Sequence, residues 1–327
     1  ILGIELGSWS IKEIEMESRF RRIDILEFHD VRLPLQITDA VTAYTQGIGQ
    51  LMARLPSHPG KIVTSLPANQ TALRFLQIPV KSRKKVEQMF RFELEDSIPF
   101  ILEDSIVEHL VTKTPEGSIV FAVVSPKKNV QAHLGWLASI GIDADWLTFD
   151  GMGLVNIFLN AERQMAEEEK PDGISLILDI GHTKTNVAAI NQGRLEFFRT
   201  IAWGGASINH AISINMGLSM EQAEEMKHSQ LSLRPDTLSD SDELQICAQQ
   251  GMRSFLMDVN HSLVAYKNLY KQEAASIQIV GGTAKLKGLD AYLEHSLGLP
   301  TLRFRPFEYL ELKEELKETA DQYRFIE

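Results

Sequence analysis

The sequence has a single cysteine, Cys247, so the chain cannot form an internal disulfide. This scarcity is typical of proteins from a reducing compartment. No apolar run approaches the roughly 18 residues that a membrane-spanning helix needs. Basic residues are also scarce, 33 against 44 acidic ones, which gives a net charge of −11. Because an acidic surface repels phosphate backbones, we expect no nucleic-acid partner.

What the sequence does contain is typical of an ordinary globular protein, with 44% hydrophobic and 24% charged residues. Its 327 residues are enough for two lobes, because single cores stop growing near about 250–300 residues. The chain begins at Ile1 rather than Met and ends in a charged segment. We therefore expect a trimmed part of a longer protein, and whether that protein has a membrane helix stays open.

The most informative stretch runs from Leu176 to Ile190 and reads as two apolar strands joined by a turn. The first strand is a continuous apolar run, as expected of a strand buried on both faces. It ends at Asp179-Ile180-Gly181, and small polar residues follow before the second strand begins. A glycine lets the backbone approach a ligand closely, and successive turn amides favour anions. The carboxylate beside them could hold a metal ion that partly neutralises a polyphosphate.

A second stretch, Leu2 to Ile14, has the same construction. An apolar strand ends at Glu5-Leu6-Gly7, a serine-rich turn follows, and a second strand carries Lys12 near its start. An ammonium group at that position could reach phosphate oxygens, although a solvated strand lysine is the alternative. Two such hairpins about a domain apart predict a duplicated architecture that closes on one phosphate chain.

Between the two hairpins, the residue pattern predicts a compact β-α-β-β-α-β unit from residue 70 to Phe149. A helix is expected before it, from Thr38 to Leu55, with Thr38 or Asp39 as the N-cap. After the second hairpin helices dominate, including a long one from about Asp242 to Tyr270. A further strand runs into Gly281-Gly282, a pair that is equally typical of a simple tight turn.

With three glycine turns that each follow an apolar strand, the sequence resembles the actin-like ATPase superfamily, which includes actin, sugar kinases, heat-shock ATPases and FtsA. Finer features are similar to the PilM family. They are the acidic segment 92–100 that closes in Ile-Pro-Phe, the Trp203-Gly204-Gly205 turn, and residues 217–227 and 280–289. The resemblance covers Leu2 to about Pro306. It implies an α/β chain with the actin-like ATPase fold, built from two ribonuclease-H-like lobes and an inserted 1C subdomain.

The resemblance also implies a domain organisation. Residues 1–68 and 150–172 would form the first lobe (1A), and residues 69–149 the inserted 1C subdomain. Residues 173–307 would form the second lobe (2A/2B), with a helical insertion at about 219–272. Residues 308–327 would be a helical C-terminal tail, which we expect to be truncated.

The resemblance further implies ATP and Mg2+ as ligands, with Glu5 and Asp179 facing the metal through water. The residues expected to bind the nucleotide are Glu5, Gly7, Ser8, Trp9, Ser10, Lys12, Asp179, Gly181, His182, Thr183, Lys184, Thr185, Gly204, Gly205, Gly281, Gly282 and Thr283. One of them departs from the family pattern, because Glu5 stands where the family usually has Asp. Since a small misplacement of the attacking water can cost on the order of 100-fold in rate, we expect at most weak ATPase activity. Asp179 is the one candidate catalytic residue.

As a PilM-like protein, the chain would be a nucleotide-binding cytoplasmic scaffold of a type IV pilus or type II secretion inner-membrane platform. It would capture the N-terminal peptide of a PilN-like partner in a groove between the first lobe and the inserted subdomain. In a secretion system it would resemble the cytoplasmic part of GspL and dock a GspE-type ATPase, along with other platform proteins. Membrane association would come through the parent chain or a partner.

Two alternatives from the same superfamily remain open. A small-molecule kinase would need a catalytic aspartate in a substrate cleft, for which Asp143 and Asp145 are the candidates, although both read as turn residues. An FtsA-like filament protein would need an amphipathic C-terminal membrane helix, and the segment from Tyr309 to Glu327 is strongly acidic.

Overall fold

The computed structural model describes residues 1–19, 22–34, 39–52, 60–165, 173–235, 242–312 and 316. The strands in this part of the chain are β1 (Leu2–Leu6), β2 (Ser10–Arg19), β3 (Arg22–Arg32), β4 (Ile62–Leu66), β5 (Ala72–Ile78), β6 (Ser105–Lys113), β7 (Ser118–Pro126), β8 (Trp146–Phe149), β9 (Ile174–Ile180), β10 (Thr185–Asn191), β11 (Arg194–Ile201), β12 (Ala274–Val280), β13 (Thr301–Arg303) and β14 (Glu311–Leu312). The α-helices are α1 (Ala40–Met52), α2 (Arg83–Ser97), α3 (Lys127–Ser139), α4 (Met152–Gln164), α5 (Gly205–Met216), α6 (Met220–Ser229), α7 (Glu243–Tyr270) and α8 (Leu289–Leu297).

The first sheet has the strand order β14-β3-β2-β1-β4-β8. Strands β1 and β2 form the first predicted hairpin, and β4 and β8 add parallel strands beside β1. Apolar residues of β1 and β2, among them Leu2 and Ile11, share one core with Leu51 of α1 and Leu137 of α3. Helix α1 begins as expected, because the Asp39 carboxylate accepts a 2.9 Å hydrogen bond from the backbone N–H of Thr42. The predicted ends of this helix at Thr38 and Leu55 lie outside the described residues.

The second sheet has the order β11-β10-β9-β12-β13. Strands β9 and β10 form the second predicted hairpin, and β12 lies parallel to β9 on its other side. Every residue of β9 is buried, as its continuous apolar pattern predicts. Helices α5 and α7 pack against this sheet and bury Ile208, Ile212 and Phe255 in its core.

The inserted segment contains the predicted β-α-β-β-α-β order, but only part of it forms a separate unit. Strands β5, β7 and β6 make a three-stranded antiparallel sheet, and α2 packs against it through Val86, Phe90 and Leu94. Strand β8 instead pairs with β4 at the edge of the first sheet, and Leu137 of α3 lies in the first sheet's core. The expectation that all of these elements form one compact subdomain is therefore corrected. Chain order alone does not say with which sheet a strand pairs.

The C-terminal segment also differs from the prediction. Residues Pro306–Tyr309 form a short 3-10 helix, and β14 pairs in parallel with β3 at the edge of the first sheet. The prediction of a helix that starts at Tyr309 is therefore wrong for Tyr309 to Leu312. The open edge of β3 offers backbone hydrogen bonds to an arriving strand, and the Phe307 ring contacts Phe28 with centroids 5.6 Å apart. Of the remaining tail only residue 316 is described, and the predicted link at 166–172 is not described either.

The edges of the two sheets at which the parallel strands end lie beside the same cleft. In both, the parallel strands have their carboxyl ends at the same edge, which is where ligands bind in open α/β sheets. Glu5 lies near that end of β1, Asp150 follows β8, and Asp179 lies near that end of β9. A shared core behind this edge, containing Phe149, Phe158 and Phe198, joins the two halves. Within the described part of the chain, no helix is long and apolar enough to cross a membrane.

Candidate functional site

The turns of the two predicted hairpins meet across a cleft. The hydroxyl of Thr183 donates a 2.8 Å hydrogen bond to the hydroxyl of Ser8, 175 residues earlier in the chain. Beside this contact, the rings of Trp9 and His182 lie 4.8 Å apart between centroids. Two hairpins that were recognised separately in the sequence are therefore brought together by the packing of the two sheets.

The first turn is held by a charged pair and a glycine. Glu5 and Lys12 are direct cross-strand partners, and the Lys12 ammonium donates a 2.8 Å hydrogen bond to the Glu5 carboxylate. A Cβ atom on Gly7 would lie 2.7 Å from the carbonyl oxygen of Ser10 and 3.2 Å from the Glu5 carboxylate. Glycine is required here because no side chain fits between the acid and the turn. The result is a carboxylate and an ammonium group at the mouth of the cleft.

The second turn orients Asp179 through buried polar groups. The Asn186 amide donates a 2.9 Å hydrogen bond to the Asp179 carboxylate, and the Thr200 hydroxyl donates to the Asn186 amide oxygen at 2.8 Å. Asp179 and Asn186 are both buried. A buried carboxylate needs such donors, because leaving it unpaired is costly. Asp179 is therefore a positioned group rather than a freely rotating one.

A further set of backbone contacts connects the second turn to α5 and to the Gly281-Gly282 turn. The N–H groups of Gly205 and Ala206 donate to the carbonyls of Gly181 and His182 at 3.0 and 2.8 Å. The Thr283 hydroxyl donates to the same Gly181 carbonyl at 2.8 Å. Three glycine segments predicted separately are thus connected by hydrogen bonds, and two of them, at Gly181 and at Gly281-Gly282, line the cleft.

The cleft has a volume of about 240 Å³ and is lined by both lobes. The predicted nucleotide-binding residues that line it are Glu5, Gly7, Ser8, Trp9, Ser10, Lys12, Asp179, Gly181, His182, Lys184, Gly281, Gly282 and Thr283. The other four, Thr183, Thr185, Gly204 and Gly205, are not among the residues that line it. Thr185 is fully buried and donates to the carbonyl of Trp203 at 2.8 Å, which is a structural bond.

Sequence reasoning missed an ionic cluster on α6 that lines the same cleft. The Glu224 carboxylate accepts hydrogen bonds from the Lys227 ammonium at 3.0 Å, from the His228 ring at 2.5 Å and from the Asn209 amide. Burial alone would raise the pKa of Glu224, but the His228 hydrogen bond and the Lys227 charge outweigh it and lower the pKa to about 2. Acid, Lys and His at spacings of three and four residues on a helix are the signal that could have pointed to this cluster.

Burial shifts the pKa of two side chains that line the cleft, Lys227 and His182. Burial lowers the pKa of Lys227, and the Glu224 carboxylate opposes that shift. Burial also lowers the pKa of His182, which favours its neutral ring beside Trp9. The neutral ring can donate one hydrogen bond and accept another, so the cleft combines fixed charges with adaptable polar groups.

A second residue missed from the sequence is Asp150, which immediately follows β8. Its carboxylate forms an ion pair with the Lys184 ammonium in the second turn, and it lines the cleft. The next residue, Gly151, has a φ of +89°, and a Cβ atom there would lie 2.9 Å from the Asn186 amide nitrogen. Gly151 of the first lobe therefore packs against Asn186, the residue that holds the Asp179 carboxylate. An acid and a glycine at the carboxyl end of a strand are the signal that could have pointed to Asp150, although here the two residues are adjacent and β8 is only partly buried.

Asp143 and Asp145, the candidate catalytic residues of a kinase, lie outside the cleft. The Asp145 carboxylate accepts a 2.9 Å hydrogen bond from the backbone N–H of Ile62, which ties β8 to β4. Asp143 is exposed just after α3, and neither aspartate is among the residues that line the cleft. Their positions agree with the interpretation of both as turn residues.

The cleft offers oxygen ligands to a metal, although not a complete protein cage. In the part of the chain that the structure describes, no group of three His, Cys, Asp or Glu side chains could hold an ion. The carboxylates of Glu5 and Asp179 do line the same cavity. This donor set fits Mg2+, which keeps several waters and binds through one or two carboxylates together with substrate phosphates.

A second cavity, the groove, lies on the other side of the two turns and has a volume of about 920 Å³. Its lining includes Tyr44 of α1 and His133 and Trp136 of α3. Within the described residues, the Nε2 atom of His133 and the Nε1 atom of Trp136 are buried without a hydrogen-bond partner. Neither nitrogen is accessible to solvent, so both lie within the wall of the groove rather than on its open surface.

Comparison with known proteins gives consistent results. The model of the family described as "Type IV pilus assembly protein PilM" matches residues 3–324. A solved structure described as "PilM-PilN type IV pilus biogenesis complex" has 21% identity and a TM-score of 0.81, over 99% of this chain and 94% of that one. MreB5 of Spiroplasma citri bound to ADP has 12% identity and a TM-score of 0.52, over 98% and 97%. The EpsL cytoplasmic domain of Vibrio cholerae, a type II secretion component, has 14% identity over 77% and 94%, with a TM-score of only 0.37. The likenesses to the PilM-PilN complex and to MreB5 confirm the expected actin-like ATPase fold.

Proposed function

The chain belongs to the PilM family of type IV pilus assembly proteins, and we propose that it is a nucleotide-binding scaffold of a type IV pilus or type II secretion inner-membrane platform. The observation that carries the proposal is the pairing of two acid-glycine hairpin turns across one cleft. A site that presents turn amides, lysines and carboxylates from two lobes suits a polyphosphate with its metal. The fold is shared with an MreB protein solved with ADP, which supports a nucleotide as the ligand.

In this proposal each part of the cleft has a chemical role. Lys12 and the amides of the two turns bind phosphate oxygens. Glu224, Lys227 and His228 present a fixed carboxylate and two nitrogen groups, which suit the hydroxyls of a ribose. Glu5 and Asp179 would hold Mg2+ through water, and the metal would neutralise part of the phosphate charge. ATP then acts mainly as a structural ligand that sets how the two lobes meet.

We do not assign an efficient ATPase activity. Asp179 remains the candidate catalytic residue, and the contact from Asn186 holds it in place. The carboxylate of Glu5, the longer acid at the first turn, is bound by Lys12. Weak turnover is the most that this arrangement supports, because an attacking water needs accurate positioning.

The groove is the proposed docking site for a PilN-like N-terminal peptide. Its lining combines Tyr44 of α1 with His133 and Trp136 of α3, the helix of the inserted segment that packs on the first sheet. The lining also includes the polar side chain of Asn129, and this combination of aromatic rings with a polar group suits an extended peptide. The similarity to the PilM-PilN complex supports this partner. A GspE-type ATPase and other platform proteins are the partners proposed for a secretion system, and the protein would act on the cytoplasmic side of the inner membrane.

The nucleotide proposal is tested by isothermal titration calorimetry of Mg-ATP into the protein and two variants. Asp179→Ala removes the positioned carboxylate, whereas Asp143→Ala removes an exposed carboxylate outside the cleft. We expect saturable binding by the wild type and by Asp143→Ala, and at least tenfold weaker binding by Asp179→Ala. Circular dichroism melting checks that both variants are folded. Absence of saturable heat with the wild type would overturn the proposal and leave a protein-docking scaffold.

A further inference from the structure

The cleft and the groove share a wall. Four residues line both cavities, namely Glu5, Ser8, Asp150 and Lys184. Two contacts between the lobes form this wall, the Thr183–Ser8 hydrogen bond and the Lys184–Asp150 ion pair. A ligand that separates either contact from the cleft side therefore changes the surface that the groove presents.

Lys184 is the movable member of the wall. Its side chain is 32% exposed, whereas that of Asp150 is only 11% exposed. A lysine ammonium on a flexible four-carbon stem can exchange one anion for another at little cost. The Asp150 carboxylate is fixed on the first lobe directly after β8, and it needs a cationic or N–H partner wherever Lys184 goes.

A polyphosphate in the cleft provides the competing anion. Lys184 lines the cleft, and a phosphate carries more charge and more acceptor oxygens than one carboxylate. When Lys184 turns to the phosphate, Asp150 loses its ion-pair partner and its carboxylate faces the groove. A peptide in the groove can then satisfy it with a backbone N–H or a basic side chain.

We propose that Lys184 exchanges Asp150 for a nucleotide phosphate, and that this exchange makes nucleotide and peptide bind with positive coupling. The inference rests on the proposed function, because it takes both ligands as given and adds how they influence each other. Coupling between two sites is reciprocal, so each ligand raises the affinity of the other by the same factor. Couplings of this kind typically lie at about fivefold or more.

The test compares the affinity for one peptide in the absence and in the presence of nucleotide. A synthetic peptide with the N-terminal residues of the PilN-like protein from the same organism is titrated calorimetrically, without nucleotide and with saturating Mg-AMPPNP. We expect the peptide dissociation constant to fall about fivefold or more with nucleotide. The reverse titration, Mg-AMPPNP with and without saturating peptide, must give the same factor.

Two lysine variants assign the effect to the ion pair. Lys184→Met releases Asp150 permanently, so this variant should bind the peptide without nucleotide as tightly as the loaded wild type, and nucleotide should change its peptide affinity less than twofold. Lys267→Met breaks an exposed ion pair with Glu273, outside both cavities, and should keep the full coupling. Coupling that persists in Lys184→Met would overturn the proposal.

If both ligands bind the wild type but neither affects the other by more than twofold, the inference fails while the proposed function stands. If either ligand fails to bind at all, the proposed function itself fails.

Discussion

A Cβ atom on Gly281 would stand 2.7 Å from Oδ1 of Asp179 and within 2.9 Å of the backbone of Ile180. Gly281 also has a φ of +90°, a conformation that L side chains rarely adopt. The turn that follows β12 is therefore packed directly against the acid that ends β9, and a side chain at this point would move that acid.

We predict that Gly281→Ala lowers both stability and nucleotide affinity. The φ of 90° and ψ of 168° at Gly281 lie in a region essentially restricted to glycine, so the backbone conformation alone should cost about 1–3 kcal/mol of the free energy of unfolding, and the contact with Asp179 adds to it. Urea denaturation measures the first effect and calorimetry with Mg-ATP the second. The matched control is Gly282→Ala, because a Cβ atom there meets nothing within 4 Å. Equal losses in the two variants would show that the approach to Asp179 is unimportant.

The ionic cluster on α6 predicts how the free energy of unfolding changes with pH in the acidic range. The folded-state pKa of Glu224 is lowered from 4.5 to about 2, because the His228 hydrogen bond and the Lys227 charge outweigh the effect of burial. Its ionised form therefore stabilises the fold above pH 4.5, and that stabilisation is lost as the pH falls from about 4.5 toward 2. We expect the free energy of unfolding to fall less steeply over pH 5 to 3 in Glu224→Gln than in the wild type.

Chemical denaturation at several pH values between 5 and 3 measures this difference in slope. Glu225→Gln, which changes the exposed neighbour on the same helix, is the control and should keep the wild-type slope. A parallel pH dependence in Glu224→Gln and the wild type would contradict the assignment.

The buried acid Glu13 predicts the opposite dependence. Burial, followed by the charges of Glu27 and Glu15, raises its pKa from 4.5 to about 7. Its Oε2 atom lacks a hydrogen-bond partner within the described residues, and the His29 ring nitrogen is 4.0 Å away. The folded state holds the proton more tightly than the unfolded state, so stability declines as the pH rises from 4.5 through 7.

Glu13→Gln should therefore raise the free energy of unfolding at pH 8 by about 1–3 kcal/mol, because each pKa unit corresponds to about 1.36 kcal/mol. At pH 4.5 the variant and the wild type should agree closely. Urea unfolding at both pH values gives the comparison, with Glu108→Gln as the control, because Glu108 is an exposed acid on β6 and is not one of the charges that act on Glu13. A variant that gains as much at pH 4.5 as at pH 8 would point to packing rather than ionisation.

Loss of one polar side chain from the groove should weaken peptide binding selectively. Asn129→Ala removes a half-buried amide that lines the groove. One hydrogen bond contributes about 0.5–1.5 kcal/mol, so we expect the affinity for the PilN-like peptide to fall about two- to tenfold. Asn215→Ala changes an exposed asparagine outside the groove and should have no effect. Fluorescence anisotropy of a labelled peptide makes the comparison, and an unchanged affinity in Asn129→Ala would remove this amide from the recognition surface.

Much of the fold could be predicted because its signals are local. The continuous apolar run of β9 and the glycines after β1, β9 and β12 each depend on a few neighbouring residues. The cleft-lining part of the predicted site follows from these turns, since a strand and its turn move together. The roles of those residues toward nucleotide and metal stay predictions until binding is measured.

What the sequence by itself determined is therefore most of the strands, helices and turns up to Arg303, together with the family that their order resembles. The tertiary structure alone decided which of them meet: β8 with β4, β14 with β3, and Asp150 with Lys184. It also placed Glu224 in the cleft and opened the groove beside Trp136. The physical reason is distance along the chain. Local patterns follow from steric and hydrophobic preferences of adjacent residues, whereas contacts between remote segments depend on how whole sheets and helices pack.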